Sequence, residues 1–168
     1  MPSTHLTQRV RAAPDQVFDM VADVENYPKF IKLISNLRIT KKISDTDFEA
    51  EAIVAYKIFR EIFRSHIHID HEAGLIRVTK AQKGGAVKTL EIRWRFHELS
   101  DGSTAVDFYV DVSLKAFPLN MLVRDKMGRA TEVIMAAFER RAEEICDEVG
   151  DKEESPDLVA EISFKTNV

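Results

Sequence analysis

After Phe117-Pro118 the spacing of apolar residues changes from every second position to every third or fourth. The new period holds for about eight turns, to roughly residue 149. Leu119, Leu122, Val123, Ala130, Val133, Ile134, Ala137, Phe138 and Ile145 form its stripe. Upstream, segments 37–39, 48–56, 59–69, 75–81, 87–96 and 105–114 read as strands, and two of them alternate cleanly. Leu90, Ile92, Trp94 and Phe96 share one face against Glu91, Arg93 and Arg95. Val106, Phe108, Val110, Val112 and Leu114 share one face against Asp107, Asp111 and Ser113. Half-buried antiparallel strands give this pattern, because successive side chains point to opposite faces. Turn signals at Ser44-Asp45-Thr46-Asp47, Glu72-Ala73-Gly74, Lys83-Gly84-Gly85 and Ser100-Asp101-Gly102-Ser103 join the strands into a meander. A strongly twisted sheet of this size curls, and only the long helix can cover its concave face. The fold class is therefore α+β, a curved antiparallel sheet of about seven strands around one long C-terminal helix.

A further strand comes from the N-terminus, where residues 4–10 alternate. Pro14, suited to a first helical position, and Asp15, complementing the positive end of the helix dipole, then open a short helix. Val17, Phe18, Val21 and Ala22 make its apolar face. A second short helix is expected from Val24 to Ile34, with a break at Pro28. Gly150 is a stop signal for the long helix. Residues 1–149 thus form one domain, and 150–168 form an acidic, flexible tail with no sustained period.

The chain has 168 residues and a net charge of −4, much of it in the tail. A nearly neutral body lacks the basic footprint that nucleic-acid binding needs, so no direct nucleic-acid partner is expected. Cys146 is the single cysteine, which rules out an intrachain disulfide and suits a reducing compartment. There is no basic stretch followed by an apolar run at the N-terminus and no apolar run of bilayer-spanning length. The expected location is cytoplasmic, with room for peripheral contact at the inner membrane.

Motifs for catalysis are missing. His66, His68 and Asp70 share one face of a strand, but it is the outer face, opposite Phe63, Ile67 and Ile69, and offers too few ligands for zinc. Gly84-Gly85 is not followed by Gly-Lys-Ser/Thr, so it reads as a hairpin turn and not a phosphate loop. Cys146 sits beside Glu143, Glu144 and Asp147, whose charge raises a thiol pKa. Glu49 and Glu51 face outward by alternation. The chain reads as a non-enzyme requiring no cofactor.

The first half of the long helix carries small or flexible residues, Met121, Met127, Gly128 and Ala130, which suggests open space between helix and sheet. The expected lining is Tyr27, Phe30, Phe63, Trp94, Phe96, Phe108, Val110, Phe117, Leu119, Leu122, Met127 and Ile134, with Tyr27, Phe30, Phe117, Leu119 and Leu122 toward the entrance. Lys29, Lys32, Arg124, Lys126 and Arg129 nearby are placed to meet anionic headgroups, each contributing about 1 kcal/mol at a membrane surface.

Three separated segments carry a resemblance. Residues 13–30, Ala-Pro-Asp-Gln-Val-Phe-Asp-Met-Val-Ala-Asp-Val-Glu-Asn-Tyr-Pro-Lys-Phe, resemble the opening of the coenzyme-Q-binding branch of the START-like, polyketide-cyclase-type (SRPBCC) superfamily. Residues 88–96, Lys-Thr-Leu-Glu-Ile-Arg-Trp-Arg-Phe, and 136–141, Ala-Ala-Phe-Glu-Arg-Arg, match the same branch, so the likeness spans about residues 3–149. The chain departs from it after Phe30, where Ile31-Lys32-Leu33-Ile34 replaces the family's Leu-Pro-Trp-Cys. The resemblance implies a helix-grip fold whose cavity binds ubiquinone, a related polyprenyl quinone or another apolar lipid, serving respiratory electron transfer as a carrier or chaperone. Bound ubiquinone would be cargo, with its carbonyls sought by the Trp94 indole, the Tyr27 hydroxyl or a lysine. The branch also contains ribosome-association toxins, which implies an alternative: an interaction factor acting on ribosomal subunits. A cyclase-type enzyme of the wider superfamily is a third reading, and it needs an acid–base pair facing inward.

Overall fold

The computed structural model describes residues 3–57, 59–81 and 85–166, with side chains as far as residue 162. The Lys83-Gly84 part of the expected turn lies outside the described residues. Seven antiparallel strands form one sheet: β1 (Ser3–Val10), β2 (Ile34–Lys42), β3 (Asp47–Tyr56), β4 (Phe59–Asp70), β5 (Leu75–Lys80), β6 (Val87–Glu98) and β7 (Thr104–Leu114). Their order is β1-β7-β6-β5-β4-β3-β2, a meander from β2 to β7 that the N-terminal strand extends at its far edge. Helix α1 (Pro14–Ala22) and a 3-10 helix (Val24–Lys29) follow β1, α2 (Phe117–Ile145) follows β7, and α3 (Leu158–Thr166) lies beyond.

The alternation places the two faces as expected. Trp94 and Phe96 on β6, Val106 and Phe108 on β7, and Ile67 and Ile69 on β4 are buried on the concave side. On the convex side Glu51 pairs with Arg38 and Arg64, and Arg77 pairs with Glu91, exposed ion pairs that contribute little each. Helix α2 makes its closest backbone contacts in the sheet with β1 and β7, and packs less closely over the β2–β3 side, where the 3-10 helix lies against β2. Phe138 anchors it: its ring meets Tyr27 at 5.1 Å, Phe30 at 5.2 Å and Trp94 at 5.0 Å, all edge-on.

Three expectations need correction. The second short helix is only the six residues Val24–Lys29, and the chain is already in β2 at Ile34. Pro28 withholds a backbone donor, and Ile31 N–H bonds back to Tyr27 O, which turns the chain out of the helix. Helix α2 ends at Ile145, not near 149. There Asp147 N–H donates to Gln16 Oε1 at 2.8 Å, Gln16 Nε2 donates back to Asp147 Oδ2, and Val149 N–H donates to Arg11 O. Gly150 keeps its left-handed φ of 82°, four residues later than a helix stop would need. The tail, read as loosely ordered, contains α3, and Glu161 at its start accepts hydrogen bonds from Ser100 N and Oγ.

The histidine pair on the convex face does different work from metal binding. Asp47 Oδ1 takes bonds from His66 Nε2 at 2.8 Å and His68 Nδ1 at 3.0 Å, while Thr46 Oγ1 donates to its other oxygen at 2.6 Å. Among the described residues no group of three or more His, Cys, Asp or Glu could hold a metal. The Thr46 hydroxyl first, and then the two imidazoles, hold the Asp47 carboxyl well below the usual carboxylate range. A depressed folded-state pKa adds stability above the unfolded value of about 3.9 and loses it as pH falls below. Asp47→Asn is therefore expected to lower the melting temperature at pH 6, with the gap from wild type closing as pH drops below about 4. Melting curves from pH 2.5 to 7 check this; a gap as wide at pH 2.5 as at pH 6 would refute it.

Candidate functional site

Between the concave face and α2 lies a cavity of about 540 Å³. Its floor is Ala52 and Val54 on β3, Phe63, Ser65 and Ile67 on β4, Val78 on β5, Leu90, Ile92 and Trp94 on β6, and Phe108, Val110 and Val112 on β7. Its roof is one face of α2, from Leu122 and Val123 through Met127 and Thr131 to Ile134 and Phe138. Ile31, Leu33, Ile34 and Leu37, at the end of the 3-10 turn and the start of β2, close one flank. The cavity separates two apolar clusters, a large one under α1 and the second half of α2, and a small one of Phe59, Val87, Leu90 and Leu114 under its first half.

The mouth follows from how α2 sits. With the helix against β1 and β7, a slot remains on the β2–β3 side, edged by Lys126, Arg129 and Val133 on α2 and by Leu37 and Tyr56 across from them. Tyr56 and Val133 are partly exposed there. Gly128, in the same stretch of helix, is exposed and lies outside the cavity lining, with nothing near the position of a Cβ, so it marks neither close approach nor the space under the helix. A sealed void of this size would cost on the order of 10 kcal/mol at the rate found for buried cavities. That rivals the whole stability of an ordinary domain. The slot opens the space to solvent and lowers that cost.

Eight of the twelve residues expected from the sequence come together on this wall: Tyr27, Phe63, Trp94, Phe108, Val110, Leu122, Met127 and Ile134. Four do not. Phe96 shares the inward face of β6 but lies past the cavity under α1, with its ring 5.2 Å from Phe18. Phe30 lies outside the lining, its ring against Phe138 and under the Arg141 guanidinium. Phe117 is 73% exposed and Leu119 37%, because the first turn of α2 points them to solvent. Ile31 and Ser65 line the cavity as well, and the parity of Phe63 and Ile67 marks Ser65 as inward.

Two polar candidates change role. The Tyr27 hydroxyl donates to Val21 O, so its proton is not available to a ligand. Burial, with Asp23 adding, pushes its pKa far above the ordinary phenol value, so it stays neutral. Trp94 lies nearly parallel to Phe108, with ring centroids 3.9 Å apart, so its indole is a flat wall of the cavity. The Cys146 thiol, raised by burial and by Asp147, lies at the end of α2 away from the lining.

An apolar chamber under one long helix in an antiparallel sheet has close counterparts. Residues 10–139 match the family described as Polyketide cyclase / dehydrase and lipid transport. The chain belongs to that family. Its fold is START-like, with α2 as the gripping helix. Among curated proteins the ribosome association toxin RatA of Rickettsia prowazekii is 26% identical over 133 residues, 79% of this chain and 90% of that one. Among solved structures the 18 kDa protein CC1736 of Caulobacter crescentus is 29% identical with a TM-score of 0.72, covering 86% of this chain and 98% of that one. The ZhuI aromatase/cyclase of Streptomyces sp. R1128 has a TM-score of 0.75 at 16% identity, covering 84% of this START-like chain and 93% of its own, which is a likeness of fold.

Proposed function

We propose that this protein is a carrier for a long apolar lipid, a polyprenyl quinone of the ubiquinone type, held in the cavity under α2 and serving respiratory electron transport. The observation that carries the reading is a cavity of about 540 Å³ whose wall is almost wholly aliphatic and aromatic. That volume suits a single extended ligand. Burying a few hundred Å² of isoprenoid chain is worth on the order of 5–10 kcal/mol before association costs. Carriage is favoured over catalysis because, among the described residues, no carboxylate or imidazole lines the cavity to make an acid–base pair. No helix among the described residues is long and apolar enough to cross a membrane. Loading would then occur at a bilayer surface, where Lys126 and Arg129 at the slot face anionic headgroups and Phe117 and Leu119 offer apolar contact.

The experiment is native mass spectrometry of purified protein together with organic extraction. The expected result is a co-purifying polyprenyl quinone in near-stoichiometric amount. The second reading, an interaction factor for ribosomal subunits, is favoured by the likeness to the Rickettsia toxin. Protein that arrives empty and takes up no added quinone would favour that reading, and co-sedimentation with ribosomal subunits would then be expected.

A further inference from the structure

Most polar groups on the cavity wall are already committed. Tyr27 donates to Val21 O, and Thr131 Oγ1 donates to Met127 O at 2.8 Å. Tyr56, Lys126 and Arg129 reach solvent at the slot. Ser65 differs. It is 6% exposed, stands on the concave face of β4 between Phe63 and Ile67, and lines the cavity. Its hydroxyl forms no hydrogen bond with any described residue. Its neighbours in register are Ala50 on β3, which has nothing to offer, and Lys80 on β5, which does not line the cavity.

The hydroxyl faces the cavity space from a wall that is otherwise almost wholly apolar, and an alanine or valine would suit that wall better. We propose that Ser65 is the interior anchor of the ligand and donates a hydrogen bond to its terminal carbonyl oxygen. The bound molecule is then an apolar chain ending in a carbonyl-bearing head. It enters head first, and its hydrocarbon runs back along Ile92, Val78 and Ile34 toward the slot. The cations at Lys126 and Arg129 sit at the mouth, where they guide entry and do not hold the head. This inference rests on the cavity being a ligand site.

The test compares wild type, Ser65→Ala and Ser65→Thr with two probes. One is a ubiquinone with two isoprene units, followed by quenching of Trp94, the chain's one tryptophan and part of the wall. The other is N-phenyl-1-naphthylamine, an apolar fluorophore with no oxygen, followed by its own emission. Ser65→Ala is expected to weaken quinone binding about fivefold to thirtyfold. It should leave the fluorophore unchanged and move the infrared carbonyl stretch of the bound quinone toward its free value. Ser65→Thr, which keeps the hydroxyl, is expected to restore the stretch. Unchanged quinone affinity in Ser65→Ala, or an equal loss for both probes, would overturn the anchor while leaving the cavity reading standing. Wild type that binds the fluorophore but not the quinone would overturn a carbonyl head. If wild type binds neither probe, the cavity reading itself fails and the anchor with it.

Discussion

Phe138→Ala is expected to destabilise the ligand-free protein by about 3–5 kcal/mol, the range for removing a buried aromatic ring from a core. Phe138 is 2% exposed and its ring joins Tyr27, Phe30 and Trp94, so one substitution strips three edge-on contacts. Relaxation into the void would be limited, because Trp94 is held against Phe108 and Tyr27 by its bond to Val21 O. Against a domain stability of about 5–15 kcal/mol this loss is large. Denaturant titration of wild type and variant at pH 7 measures it. A loss below about 1 kcal/mol would mean that α2 is not pinned to the sheet at this point.

Ala52→Trp should do the opposite: leave the fold and remove the proposed quinone uptake. Ala52 lies on β3 opposite Phe63 and points into the cavity on the open, β2–β3 side. An indole there enters space already present, so the usual overpacking penalty does not arise, and aromatic residues suit strands. The ring would lie across the path from slot to interior. Quinone uptake is expected to fall at least about a hundredfold, on the order of 3 kcal/mol. The melting temperature is expected to change little or rise. Isothermal titration beside a thermal melt separates the two effects. Undiminished uptake with an intact fold would move the binding site away from this cavity.

The sequence made the architecture readable wherever a pattern was long. The alternation of Leu90, Ile92, Trp94 and Phe96 fixed the inward face of β6, and the change of period at Pro118 fixed where the sheet ends and the covering helix begins. What alternation cannot say is which part of an inward face is covered. Trp94 and Phe96 are two residues apart on one face, yet α1 presses on the second and leaves the first bare toward the cavity. The same limit applies to α2. Leu119 and Leu122 belong to one stripe, but only Leu122 reaches the lining. The end of α2 was hidden for another reason. Gln16, 131 positions away, accepts the Asp147 N–H and so draws the chain out of the helical ladder by tertiary contact, and the signal at Gly150 was the wrong one. Ser65 was legible by parity alone, but a small polar residue in an apolar strand draws no attention until its lack of a partner is visible.

The pairing of β1 with β7 has a consequence for how the chain is made. Ser3 lies opposite Asp111 and Val10 opposite Thr104, so the strand synthesised first has its sheet partner about a hundred residues later. The meander from β2 to β7 can zip up in order as each hairpin emerges, since its neighbours are adjacent in sequence. β1 must wait through all of it, and α2, which rests on both β1 and β7, can dock only after that wait is over. Until then the concave face stands open along its whole length, and the nascent protein is at its most vulnerable to aggregation once the meander has formed and before α2 has docked.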